Sequence, residues 1–362
     1  MDAPRTGHYS ASSGANTPTT VKSHMGLLQP LPPKKAVHEY LKDREPEVTK
    51  GTLHEHRSRL KRFLNWCDEV GLDDMNDLDG RKAQEFKNYR AERVAITTLE
   101  HEMRTFRLMV AFCESIDGVM DGVANGVSIP KPSRKEKSRD VKIEPDHAKA
   151  ILDYLERWNY ASLRHVMFQT LWETGIRTST LRSFDLRDFY PNDPDGPYLD
   201  AVHRPESGTP LKKDEYSERE INISDKLARL LQAYINEKRP DVTDDFDRHP
   251  LFATSYGRVY KTTIQRNVYS VTRPCHIGMD CPHGREPDEC EASDYNTASK
   301  CPDSVSPHAI RRGSATHYRN LGHSRTMVGD KLDMSEEVLR EHYERQSKTE
   351  KRRQRRGMLD DF

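Results

Sequence analysis

The chain has 362 residues, with 58 Lys and Arg balanced by 58 Asp and Glu, and nearly as many charged residues (32%) as hydrophobic ones (34%). At that length two compact units are expected rather than one core, and no apolar run approaches the roughly 18–20 residues that span a bilayer. The reading is of a soluble, cytoplasmic protein without a membrane partner, and the zero net charge confines any nucleic-acid surface to a local patch.

Taken in chain order, residues 1–33 are rich in Ser, Thr, Gly and Pro, lack the apolar core of a secretory signal and end in "LQPLPPKK". They read as a disordered leader. Over 52–70, Leu53, Leu60, Phe63, Leu64 and Cys67 fall on one stripe at helical spacing, with Gly71 as terminator. A second helix is expected at about 80–92 and a third at about 97–115, where Leu99, Met103, Phe106, Leu108, Met109 and Phe112 supply the apolar face. Residues 34–126 therefore form a small helical bundle, and the proline- and charge-rich stretch 127–145 reads as a linker.

Beyond the linker, helices are expected at 146–158, 161–174 and 178–184. Two strands, in "YLDAVHRP" and "EREINIS", flank a polar turn, and helices return at 224–238 and 261–272. An aperiodic cysteine-rich insertion, 273–302, is followed by helices at 307–321, 325–332 and 335–347 and by a basic tail, 348–362. The fold class expected is mainly α with a small β-sheet.

Four of the six cysteines, Cys275, Cys281, Cys290 and Cys301, lie in the insertion. Their count matches a tetrahedral zinc site, with His276 and His283 as competing ligands. A structural zinc is expected there because a polar, aperiodic segment of this length needs something to hold it. The alternative is a surface insertion with free thiols.

The run "SPHAIRRGSATHY", residues 306–318, places His308 and Arg311 three residues apart on one helix face. Guanidinium donates paired hydrogen bonds and imidazole donates or shuttles a proton, so this face suits an anionic oxygen, phosphate above all. Upstream, in "TGIRTSTLRSFDLRDF", Gly175 ends one helix and Arg177 stands at the entrance to the next. Positive charge gathers downstream, with thirteen Lys or Arg against seven Asp or Glu over 311–356.

Together these stretches resemble the tyrosine recombinase (phage integrase) family, whose pattern is T-G-x-R, then H-x-x-R, then a tyrosine. The "RPESGTPLKK" turn and the cysteine cluster make it look most like integrases of archaeal mobile elements. The resemblance implies an N-terminal helical, SAM-like core-binding bundle and a tyrosine-recombinase catalytic domain over 146–347. It implies Arg177, His308 and Arg311 as phosphate ligands and acid–base groups, Tyr343 as the nucleophile, and a hairpin lysine as the acid, Lys212 being favoured with Lys213 as the alternative. It further implies double-stranded DNA at specific attachment sites as partner, a homotetramer on paired sites, association with the nucleoid, and no cofactor for catalysis.

One departure stands out. Where the family has L-G-H or L-G-W about nine residues before the tyrosine, this chain has "LDM", ending in Met334. Met334 is expected to keep the packing and lose the hydrogen-bond donor. The literal "LGH" at 321–323 lies too far from Tyr343 to be that box. Two rival functions follow: a catalytically impaired DNA-binding regulator of the same fold, and a type IB topoisomerase-like strand relaxation.

Overall fold

The computed structural model describes residues 28–133, 136, 141–342, 352 and 356. The chain divides into two compact units, at Arg139 and Asp140.

The first unit is built from helices α1 (Pro33–Arg44), α2 (Lys50–Val70), α3 (Gly80–Ala91), α4 (Ile96–Ser115) and the single turn α5 (Val123–Gly126). Thr49 and Asp79 start α2 and α3 by accepting from the backbone N–H of Thr52 and Lys82, which satisfies donors the helix itself leaves orphaned. Gly71 ends α2 in the left-handed conformation. The core centres on Phe63, Trp66, Phe86 and Phe106, with the Phe63 and Phe106 rings 4.9 Å apart. Two expectations need correction. Leu108 is exposed, and α4 buries Leu99, Met103, Phe106, Met109, Val110 and Cys113 instead. The expected leader also runs too far: Leu31 is 4% exposed and its carbonyl accepts from Met75, so residues 28–33 belong to this unit. Residues 1–27 lie outside the described residues.

The second unit is mainly helical with a small antiparallel sheet. Its helices are α6 (Pro145–Trp158), α7 (Leu163–Thr174), α8 (Thr178–Ser183), α9 (Asp225–Glu237), α10 (Lys261–Val271), α11 (Pro307–Asn320), α12 (Arg325–Leu332) and α13 (Glu336–His342). Helix α7 buries residues on every side, from His165 through Leu171, and so runs through the centre of the unit. Helices α6, α9, α10 and α11 pack around it. Strands β1 (Phe189–Tyr190), β2 (Tyr198–Ala201) and β3 (Arg219–Asn222) form one sheet, with Leu199 opposite Ile221. Both of those side chains point into the core. A second, two-stranded ribbon, β4 (Ala253–Thr254) and β5 (Gly257–Arg258), carried too short a pattern to be expected from sequence. Among the described residues no helix is long and apolar enough to cross a membrane.

Candidate active site

The site begins where α7 ends. Gly175 takes a left-handed backbone (φ +61°), and a Cβ there would stand 2.8 Å from Leu332 and 3.0 Å from the Ser314 hydroxyl. Only glycine lets α7, α11 and α12 meet so closely while turning the chain. The Gly175 carbonyl accepts from Arg311 at 2.7 Å, and two residues later Arg177 caps the entrance to α8. The turn therefore delivers both arginines to one place.

There they converge on Asp333, which follows α12. The Asp333 carbonyl accepts from Arg177 at 2.9 Å and from Arg311 at 3.3 Å. Its carboxylate pairs with Arg177 through one oxygen, which also accepts from the Ser217 hydroxyl at 2.8 Å, and with Lys213 through the other at 2.8 Å. Burial would raise the Asp333 pKa, but the hydrogen bonds from Lys213 and Ser217 and the charge of Arg177 outweigh it and hold the carboxyl below its usual range.

Arg311 is 3% exposed, whereas His308, one turn earlier on α11, is exposed. Both line an open cleft of about 260 Å³ together with Arg177 and Lys261, the first residue of α10. Arg177, His308 and Arg311 are thus brought together. Of the two exposed hairpin lysines, Lys213 reaches the cluster. The preference read from sequence is for Lys212, with Lys213 as the alternative, because adjacent lysines in a polar turn are hard to tell apart by pattern. Tyr343 lies outside the described residues. Sequence reasoning also passed over Asp333, Ser217 and Lys261.

A scan against protein-family models finds no match, and a search of curated proteins finds none either. Solved structures do match. The Tn1549 transposon integrase in complex with a circular intermediate DNA aligns with a TM-score of 0.61 at 13% identity, covering 91% of this chain and 99% of that one. A lambda integrase dimer bound to a COC′ core site aligns at 0.60 and 14%, covering 88% and 80%. A lambda integrase tetramer bound to a Holliday junction aligns at 0.59 and 12%, with the same coverage. The chain has the tyrosine-recombinase fold.

In this tyrosine-recombinase fold the β2–β3 hairpin is tied down by arginines, which fixes Lys213. Arg204 pairs with Asp188 through both its terminal nitrogens, at 2.8 and 2.6 Å. Arg248 donates to Thr209 and to the Ser207 carbonyl, and Arg182, on the helix that Arg177 caps, donates to the Gly208 carbonyl at 2.8 Å. Beneath them Arg258 bridges Asp185 and Asp244. Burial acts to raise the Asp244 pKa, but hydrogen bonds from Arg258 and Arg248 prevail and bring it down to about 2. Fork-shaped guanidiniums suit this role because each satisfies several acceptors at once.

Met334, in the slot where the fold's relatives were expected to carry a donor, is 7% exposed and packs with Ala315, Val328, Leu332 and Leu339. It fills space beneath the site and offers no N–H.

The cysteine-rich insertion is held differently from the expectation. Cys275, Cys281, Cys290 and Cys301 are free, partly exposed thiols that line one closed cavity of about 10 Å³ together with His283. Among the described residues, however, no group of three or more His, Cys, Asp or Glu is arranged to hold a metal ion. The zinc set expected at these four cysteines is therefore not supported. Support comes instead from buried Arg273, which donates to the Ala292 carbonyl, and from Asn267 of α10, which donates to the Tyr295 hydroxyl at 2.9 Å.

Proposed function

We propose that this protein is a site-specific DNA recombinase that cleaves and rejoins DNA through a 3′-phosphotyrosyl intermediate on Tyr343. The observation that carries the reading is the convergence of Arg177 and Arg311 on a single oxygen, with Lys213 beside them. Preorganised guanidiniums aimed at one point stabilise the charge that grows on a five-coordinate phosphorus. In the reaction, the Tyr343 oxygen attacks phosphorus and gives up its proton. The bond to the 5′ oxygen breaks, and that oxygen takes a proton from Lys213, the hairpin lysine paired with Asp333. His308, on the rim of the same cleft, completes the acid–base set. Attack by the 5′ hydroxyl of a partner strand reverses the step and joins the new duplex.

Likeness to integrases whose structures contain DNA, one of them a tetramer on a Holliday junction, supports double-stranded attachment sites as partner and a homotetramer as the working assembly on the nucleoid. The first unit then serves as the core-binding domain of a clamp around the duplex. No cofactor enters this scheme, because charge stabilisation and proton transfer are assigned to side chains.

A second reading, a non-catalytic DNA-binding regulator, is favoured by one observation: Met334 removes a donor from the site. Incubation of the protein with nicked duplexes taken from the DNA flanking its own gene separates the two. Denaturant-resistant adducts that vanish in Tyr343→Phe are expected. Specific binding without adducts would overturn the enzymatic reading, and supercoil relaxation by a monomer would replace it with the topoisomerase one.

A further inference from the structure

Two of the groups assigned above, Arg177 and Lys213, already hold an anion, and it belongs to the protein. The Asp333 carboxylate lies against Arg177, Lys213 and the Ser217 hydroxyl, and its carbonyl lies against Arg177 and Arg311. One carboxylate oxygen meets Arg177 and Ser217 and the other meets Lys213, the charge-assisted contacts that phosphodiester oxygens would take. The Asp333 side chain is only 8% exposed, so it sits in the slot rather than at the rim. We propose that Asp333 is an internal plug: in the absence of DNA its carboxylate occupies the seat of the scissile phosphodiester, and a DNA phosphate must displace it. The proposal rests on reading this cleft as the seat of a DNA phosphate.

Three features make the plug removable. Asp333 caps the eight-residue helix α12 and takes a left-handed backbone (φ +51°), which an aspartate holds only at some cost. Asp333 itself lines an open cavity of about 650 Å³ together with Lys213, Arg219 and Lys331 and with the acidic Glu220 and Asp330, while its partner Arg177 also lines the cleft that holds His308 and Arg311. The carboxylate therefore borders open space into which it can swing, and Arg177 joins that space to the cleft. While it stays, like charges at contact distance repel the phosphate. Asp333 also stands ten residues before Tyr343 in the sequence, at the joint between α12 and α13.

The test compares wild type with Asp333→Asn and Asp333→Gly, two residues that tolerate a left-handed backbone. Thermal melting across a titration of inorganic phosphate reads the slot without requiring catalysis. Without phosphate both variants should melt below wild type, since the cations lose their partner. Phosphate should restore them and bind them about tenfold more tightly, as expected if the plug leaves the slot open about a tenth of the time. Adding Arg177→Ala to Asp333→Asn should abolish the gain. Phosphate affinity unchanged or weakened in the variants would overturn the plug and make Asp333 a brace for the arginines. So would failure of both variants to fold in saturating phosphate, because a displaceable group is dispensable once the slot is filled. Adduct formation on nicked duplexes, expected to rise about tenfold in the variants, tests the recombinase reading separately. A phosphate gain with no adducts from any protein would sink that reading and leave the plug standing.

Discussion

Arg177 and Arg311 donate to the same atom, the carbonyl oxygen of Asp333, at 2.9 and 3.3 Å, yet they differ sharply in setting. The side chain of Arg177 is 26% exposed, while Arg311 is 3% exposed and also holds the Gly175 carbonyl. Substituting alanine for either should lower the rate of adduct formation by about 10²–10³-fold, the usual cost of removing one preorganised donor. Both should also cost stability, Arg177→Ala by leaving the buried Asp333 carboxylate with fewer partners and Arg311→Ala, by about 1–3 kcal/mol, by orphaning the buried Gly175 carbonyl. Denaturant melts beside single-turnover cleavage separate the two effects. Cleavage left near wild type by either substitution would contradict the assignment.

Lys213 and Lys212 are exposed neighbours with different surroundings, the first being paired with Asp333. Lys213→Ala should slow cleavage by about 10²-fold or more, and Lys212→Ala should leave it near wild type. A substrate with sulfur in place of the departing 5′ oxygen needs little help from an acid. It should rescue Lys213→Ala, and absence of rescue would mean that the lysine serves only to bind.

Much of this architecture was legible in the sequence, and the reasons for the gaps are specific. Helical period located α2, α4, α6, α7 and α11, because each buries one face or, for α7, nearly all of its surface. The T-G-x-R and H-x-x-R boxes were legible because tight packing demands Gly175 and because Arg311 is buried beside it. Asp333 was not, since its partners Arg177 and Lys213 lie 156 and 120 residues away and a contact of that range leaves no local pattern. The contacts that hold the cysteine segment were equally hidden, since Arg273 and Asn267 reach residues 19 and 28 positions away.

His165, 1% exposed on α7, is held neutral, with burial as the largest cause lowering its pKa to about 4. The unfolded chain takes up that proton near pH 6.5, so stability from the neutral ring is complete above that value and is lost as pH falls from 6.5 towards 4. The loss from this group should be about 3 kcal/mol. Urea midpoints measured across that window should fall in wild type and fall less in His165→Gln, where the remaining decline belongs to other histidines that burial holds neutral, such as His276, also lowered to about 4. A parallel fall in both proteins would assign the effect elsewhere.

The six thiols should divide by reactivity. Cys67 and Cys113 are buried at 2% and 0% exposure, and burial pushes both thiols up to about 12, whereas the other four are partly exposed. Only thiolate is alkylated, so mass spectrometry after brief iodoacetamide treatment of the native protein should find Cys275, Cys281, Cys290 and Cys301 modified and the remaining two unmodified until the chain unfolds. If instead those four react only after chelator is added, the free-thiol description is wrong.

Within the first unit, Arg90 of α3 and Glu102 of α4 form a two-pronged ion pair at 2.8 and 3.0 Å, with side chains only 10% and 8% exposed. Removing one member leaves the other charged and shielded from water, which is far costlier than losing the pair's own attraction. Glu102→Ala should therefore cost about 3–5 kcal/mol in urea denaturation of the full chain. Arg90→Met combined with Glu102→Leu should recover most of that loss, since apolar side chains of similar volume need no partner. If the double replacement were as unstable as the single one, the pair would owe its value to something other than mutual neutralisation, such as an alignment of α3 on α4 that apolar packing cannot reproduce.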